Sequence, residues 1–538
     1  MTGLLDLPAE CTIQILSLLA PPEIARCRLV SRMLWTIIHD SVRLQYLLEL
    51  DCLRLVPRHT FSDRLSLAEK VRVVREKRRL MDSQNPGDSE VIPLCPTDYG
   101  NLTAPNFGST YTYSRGVLVL KGQEDADQLG VYQLSSRNRN VESASYVLKS
   151  LPAHCTMAIE PMLDLLLLSS TTDVTATFHL RSLRTGLAHP NAALPAISHP
   201  VDANWSTRPR FMKTRIEIIG RRIAYIREGS EVFQSVITIW DWVSGQIVTS
   251  TKICGTSLTF LSEDVFIVAN PIIGSLDKPS LVLYTCDGVP AGNDARLVAT
   301  FTIPVLEFDD RSISWTEFLP SSQPSVWHND LPIDSPPLIY DTCPISHYLP
   351  LRVSFTIASS YSCGMLFIHS SSLLALASNL DLQSNQGIPS VPWSKWKSAA
   401  CWVGPHNLDG EHEYGPAMFG HLMMFMHPQE QLGSWLAEIY DLRSALPMTI
   451  PNPRPRKASY LPRDQEIESA FNGPPNPMQT PSVVKSFWIP FETIPWEKDW
   501  HETRYGTCPV EVMIDDEHVV IVRMPSHATQ PRIHVYPL

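Results

Sequence analysis

Residues 222–245 read RIAYIREGSEVFQSVITIWDWVSG. Apolar residues alternate with polar ones on both sides of a polar interruption, which is the period-two pattern of two strands joined as a hairpin. The second strand closes on Ile239-Trp240-Asp241-Trp242, then Ser244-Gly245, an aromatic and polar ending followed by a turn. The same unit recurs. It is clear at 117–135, 163–186, 265–288 and 517–538, and weaker at 352–374 and 421–445.

Hairpins repeated over several hundred residues are the mark of a β-propeller. Ile239-Trp240-Asp241-Trp242 resembles the strand end of a WD repeat, and Tyr440-Asp441-Leu442 is a fainter echo. About seven hairpins are visible, and the weaker pair leaves six to eight blades open. Shared among seven blades, residues 100–538 allow about 63 each, against roughly 40–45 in a WD blade. The surplus is expected in insertions near 289–350 and 446–515. Both are rich in Pro, Ser, Asn and Asp, with Trp315, Trp327, Trp488, Trp496 and Trp500 interleaved. Such loops serve either as binding segments or as tolerated insertions.

Ahead of this body the pattern is helical. Leu7–Asp40 reads LPAECTIQILSLLAPPEIARCRLVSRMLWTIIHD. Ile13, Leu16 and Leu19 form an apolar stripe that Pro21 and Pro22 end, because proline lacks an N–H. Pro22 and Glu23 suit the first turn of a second helix. Ile24, Cys27, Val30 and Leu34 follow, and Ser31 is placed to cap or interrupt. Three short helices cannot bury this much apolar surface alone, so the excess should dock on the chain or a partner. A further helix is expected over 66–81, with Ser66 and Glu69 as a capping box. Its Lys and Arg residues read as the solvated face of a linker helix rather than as a nuclear signal or an acidic-partner patch. SQNPGDSE at 83–90 reads as a loop and boundary.

The N-terminal stretch, roughly residues 4–45, resembles an F-box. Leu7-Pro8-x-Glu10 matches its opening and Ile13, Leu16 and Leu19 its first helix. Pro21 to Ile24 matches the turn, and Arg28-Leu29-Val30-Ser31-Arg32 the segment after it. Trp35 matches the closing aromatic, one residue later than in many members. The continuation Ser41–Leu50 looks like the segment that follows the F-box in many fungal, especially basidiomycete, proteins.

Composition narrows the function. The 538 residues carry a net charge of −11, which argues against a nucleic-acid binder. No eighteen-residue apolar run is present, and Asp6 and Glu10 stand where a signal peptide would be basic. Eleven cysteines without a CxxC pair read as reduced thiols of the cytosol or nucleus. No GxGxxG, GxxxxGK or GxSxG motif is present. His406, His412, His421 and His427, with Glu411 and Glu413, lack a closed metal-ligand spacing, so no metal or cofactor is expected. Asp309-Asp310 and Asp515-Asp516-Glu517 are expected in turns.

The expected fold is therefore α+β multidomain. A three-helix F-box (1–50) and a helical linker (51–95) precede a mostly-β propeller (96–538). The F-box resemblance implies a substrate-recognition subunit of an SCF-type ubiquitin ligase, not an enzyme. It would bind the Skp adaptor, and through it a cullin scaffold, by Leu7, Pro8, Ile13, Leu16, Leu19, Ile24, Cys27, Val30 and Trp35, while the propeller takes an unknown protein substrate. A scaffold acting outside ubiquitin ligases is the alternative, and an enzyme built on a propeller is the third reading.

Overall fold

The computed structural model describes residues 7–53, 55–57, 65–82, 90–93, 111–121, 127–139, 141–152, 156–172, 175–200, 215–228, 234–255, 257–270, 279–303, 311–318, 339–342, 347–357, 360–381, 389–403, 417–429, 434–442, 482–490, 510–523 and 532–538. Seven sheets, each built on four antiparallel strands and one extended by a short fifth strand, form the body, and first strands of neighbouring sheets meet around a common axis. The blades span 111–148, 156–200, 215–254, 257–302, 311–403, 417–490 and 510–537. The last contributes only three strands of its own. Its outermost strand is Glu90–Pro93, paired antiparallel with Arg532–Pro537. This strand falls inside the stretch expected to be a helical linker, so the propeller begins there rather than at residue 96.

All seven hairpins read from the sequence are the second and third strands of a blade, so seven is the blade number. Several first and fourth strands lack period-two alternation, although others such as Gln246–Cys254 show it. Tyr111–Ser114 is half-buried throughout, Ala417–Phe419 is buried throughout, and Ala144–Leu148 is mostly exposed. The two expected insertions contain such strands. Arg296–Thr302 and Arg311–Phe318 lie in the first, and Ser482–Pro490 and Val510–Ile514 in the second or at its end. Trp315 and Trp488 are on strands, whereas Trp327, Trp496 and Trp500 lie outside the described residues.

One hydrogen bond repeats in every blade. The residue after the third strand donates its N–H to a carbonyl in the turn joining the first two strands. The pairs are Leu134 to Gly116, Leu183 to Asp164, Trp242 to Arg221, Cys286 to Asp264, Ser370 to His347, Leu442 to His421 and Leu538 to Glu517, at 2.7–3.1 Å. Both groups are thereby satisfied where the chain leaves the sheet. Blade three shows why Trp-Asp-Trp suits this corner. Trp240 is buried between blades two and three, its ring 5.1 Å from Phe178. The Asp241 carboxylate accepts the N–H groups of Val243 and Ser244, both at 3.0 Å, and pairs with Arg221 and Arg222. Trp242 donates its indole N–H to Gly220 O at 2.8 Å.

The N-terminal helices are α1 (Ala9–Leu16), α2 (Pro21–Cys27), α3 (Arg32–Asp40) and α4 (Val42–Cys52), followed by α5 (Leu67–Asp82). Between α4 and α5, Leu55–Pro57 pairs antiparallel with Tyr340–Thr342. That segment lies between the first and second strands of blade five. A further insertion, unforeseen in the sequence, separates the last two strands of the same blade. It holds α6 (Ser370–Asp381) and α7 (Trp393–Trp396). It lays Ser390–Val391 parallel along Arg296–Thr302 and buries Leu373, Val391 and Trp396 between blades four and five. A covered edge cannot template pairing with another chain.

Replacing Trp240 by alanine removes one of the two tryptophans of the core between blades two and three. Calorimetry is expected to show a loss of about 3–5 kcal/mol.

Candidate partner-binding site

The first four helices form a small unit of their own. Pro21 and Pro22 open α2, and Glu23 reaches back to accept Ala20 N–H at 3.1 Å. Ser31 caps α3 by accepting Leu34 N–H at 3.1 Å, and Ser41 caps α4 by accepting Leu44 N–H at 3.4 Å. Leu16, Ile24, Leu34, Ile38 and Leu44 make the core, with Ile13, Leu19 and Cys27 half-buried against it.

What this core leaves outside is the notable feature. Among the described residues twelve large apolar side chains are exposed, and seven of them lie within residues 15–42. Leu29 is 88% exposed, Leu18 85% and Val30 75%; Ile15, Met33, Trp35 and Val42 complete the set. Trp35 stacks on His39 one turn later, with centroids 4.8 Å apart. Apolar surface concentrated in this way marks a surface that binds a partner.

The residues expected to make that contact divide. Pro8, Val30 and Trp35 are exposed and Leu7 is half-buried. Leu16 and Ile24 are 1% and 0% exposed, so they hold the unit together rather than face a partner. Ile24, Cys27, Val30 and Leu34 do not form one stripe, because α2 ends at Cys27 and Val30 sits in the turn before α3. Leu16, Ile24 and Leu34 of the stripe positions fold inward, whereas Val30 stays outside with Leu18 and Leu29, which lie off the stripe. For Leu18 and Leu29 that off-stripe position was the signal available in the sequence.

Behind the unit, α5 joins it to the propeller. The capping box forms as expected, with Ser66 and Glu69 exchanging hydrogen bonds. The basic face is not simply solvated, however. Arg75 and Arg78 pair with Glu49 of α4. Lys70 and Lys77 are buried, and Lys77 donates to the carbonyl of Asp516 in blade seven. Met81 packs against the core shared by blades six and seven. Tyr46, Leu50, Leu55, Val71 and Val74 close over Ile339 and Tyr340.

Asp515-Asp516-Glu517 does occupy a turn, the one between the first two strands of blade seven, and it forms an ionic knot around the buried Asp515 and His518. Asp515 accepts from Tyr113 Oη at 2.6 Å and lies 3.2 Å from His518 Nδ1. Burial alone would raise its pKa, but the His518 charge and the hydrogen bonds from His518, Tyr113 and Glu517 N–H hold it below its ordinary value. Burial would lower His518, and Asp515 outweighs that and raises it. Asp516 is pushed up to about 6, by burial first and then by the charges of Asp515 and Glu517, which Lys77 and Arg139 only partly offset. Nearby, Arg115 has a left-handed backbone (φ +48°), held in place by its pairing with Asp341 at 3.4 Å and Glu160 at 3.8 Å. Among the described residues no group of three or more His, Cys, Asp or Glu could hold a metal ion. His406, Glu411, His412 and Glu413 lie outside those residues, His421 sits in a turn and His427 on a strand.

The knot has a definite pH response. The Asp515–His518 pair stabilises fully above the unfolded carboxylate pKa and below the unfolded imidazole pKa, and fades outside that window. A carboxyl raised to about 6 works against folding as pH rises from about 4 through 6. Asp516→Asn is expected to stabilise the protein at pH 7.5 by on the order of 1–2 kcal/mol and to be near neutral at pH 4. Thermal melts across that range measure it.

Residues 4–44 match the F-box-like family model. No curated protein matches the chain. Among solved structures, Kuenenia stuttgartiensis hydrazine synthase is 9% identical with a TM-score of 0.38, covering 82% of this chain and 98% of its own. Kluyveromyces lactis Hsv2 is 11% identical with a TM-score of 0.28, covering 62% and 92%. An oligogalacturonate lyase in complex with manganese is 10% identical with a TM-score of 0.36, covering 84% and 98%. At these scores none bears on function. Among the described residues no helix is long and apolar enough to cross a membrane. The chain thus carries an F-box-like domain at residues 4–44, joined through α5 to a seven-bladed β-propeller.

Proposed function

We propose that this protein is a substrate-recognition subunit of an SCF-type ubiquitin ligase, working in the cytosol or nucleus. The observation that carries the reading is the exposed apolar set around Leu18, Leu29, Val30, Met33 and Trp35 on an F-box-like domain. These side chains would be the anchors for the Skp adaptor, since a few buried apolar residues carry most of an interface's energy. The adaptor would link the chain to a cullin scaffold. The propeller would hold a protein substrate and raise its effective concentration near the ubiquitin-charged enzyme, with no chemistry done by the chain itself. α5 and the 339–342 segment lie against turns of blades seven and one, on the propeller face that carries the turns between first and second strands. The opposite face, where second and third strands connect, would hold the substrate. An F-box and propeller acting as a scaffold outside ubiquitin ligases is the second reading, since the same apolar set would serve any helical partner.

Co-elution of the purified chain with purified Skp adaptor in size-exclusion chromatography tests the reading. Leu29→Asp with Val30→Asp is expected to weaken that complex at least about 100-fold, because two anchors become charged groups in a desolvated interface. The melting temperature should not change. Leu16→Ala is expected to destabilise the helical unit by about 2–5 kcal/mol instead. A wild-type chain that never co-elutes with the adaptor would sink the ligase reading.

A further inference from the structure

Asn138, in the turn between the last two strands of blade one, is 3% exposed, and all four hydrogen-bonding positions of its carboxamide are used. Oδ1 accepts the N–H groups of Ile339 at 3.0 Å and Tyr340 at 3.1 Å. Nδ2 donates to Tyr340 O and to Asp516 Oδ2, each at 3.1 Å. The backbone N–H of Asn138 goes to Glu517 Oε1 at 2.9 Å, and its carbonyl also accepts from Ile339 N–H at 3.1 Å. One residue of blade one therefore grips two separate segments. The first is the Asp516-Glu517 turn of blade seven, the neighbour across the ring closure. The second is Ile339-Tyr340, which belongs in sequence to blade five.

The second segment is also what the helical arm holds. Leu55–Pro57 pairs with Tyr340–Thr342, Tyr46 donates its hydroxyl to Ile339 O, and the Tyr340 ring is buried among Leu50, Leu55 and Val74. On the propeller side the segment is further fixed by Arg115 and Asp341 at 3.4 Å. We propose that Asn138 is a positioning residue that latches the helical arm to the propeller. It holds residues 339–342 as a bracket between the arm and the junction of blades seven and one. The latch sets the direction in which the exposed apolar set points relative to the far propeller face.

The chemistry requires a carboxamide. An aspartate here would face Asp516 and Glu517 with a third negative charge and could not donate to Tyr340 O. Alanine would leave the buried N–H groups of Ile339 and Tyr340 with fewer acceptors. Their loss falls on the bracket, and that of the Nδ2 bond on the Asp516 turn, since among the described residues this side chain bonds only to those two segments.

Hydrogen exchange followed by mass spectrometry on the full chain tests the latch, with Asn138→Ala as the main variant and Tyr46→Phe as a milder one that touches only the arm side. In Asn138→Ala the amides of Leu55, Val56 and Tyr340–Thr342 should exchange at least about tenfold faster, while those of Leu165–Thr171 and Arg222–Glu228 keep their wild-type rates. Tyr46→Phe should show the same pattern, weaker. Unchanged exchange at Leu55 and Val56 in both variants overturns the proposal. So does a uniform rise through the hairpins, which would make Asn138 a general stability residue. The readout needs no adaptor, so a failure of Skp binding would sink the ligase reading and leave this test intact.

Discussion

A ring of sheets is stable only if its last blade is joined to its first. Here the joint is made by a strand that precedes the whole body: Glu90–Pro93 completes blade seven against Arg532–Pro537, more than four hundred residues away. Without it blade seven would keep only three strands and Arg532–Pro537 would lose its outer ladder partner. The consequence for the rest of the chain is direct. Because the closing strand follows α5, the helical arm must leave the propeller at the junction of blades seven and one. The buried polar groups are gathered there. Lys77, Tyr113, Asn138, Asp515, Asp516, Glu517 and His518 are the means by which the arm's exit is held in one place.

The arrangement has an electrostatic cost. Three consecutive acidic residues, Asp515 buried and Asp516 and Glu517 half-buried, share a turn with one histidine and few cations, and Asp516 answers by holding its proton up to about pH 6. Buried ionic groups are weak evidence for stability and better evidence for specificity. In this molecule the specificity is geometric.

How much of this was legible beforehand depended on the range of the interaction. The hairpins were legible because alternation is local, and Trp240, Asp241 and Trp242 marked the corner that every blade repeats. The F-box-like helices were legible because prolines and capping serines punctuate them. Edge and inner strands such as Ala144–Leu148 and Tyr111–Ser114 were not, since their burial follows from neighbouring blades and leaves no period in the chain. The basic face of α5 was misjudged for a related reason. Nothing near Lys77 in sequence announces the carbonyl of Asp516 that receives it.

The exposed apolar residues of the helical unit show the division most clearly. Sequence alone determined that Leu7–Asp40 holds more apolar surface than three short helices can bury, and that seven hairpins follow. Only the tertiary structure decided which apolar side chains remain outside. Leu16 and Ile24 were consumed by the fold of the unit itself, and Leu18, Leu29 and Val30 were left. Helical period places a residue on a face, but which face turns inward depends on what packs against it. That in turn depends on contacts among α1 to α4, on the bracket at 339–342, and on a ring closed by residues from opposite ends of the body.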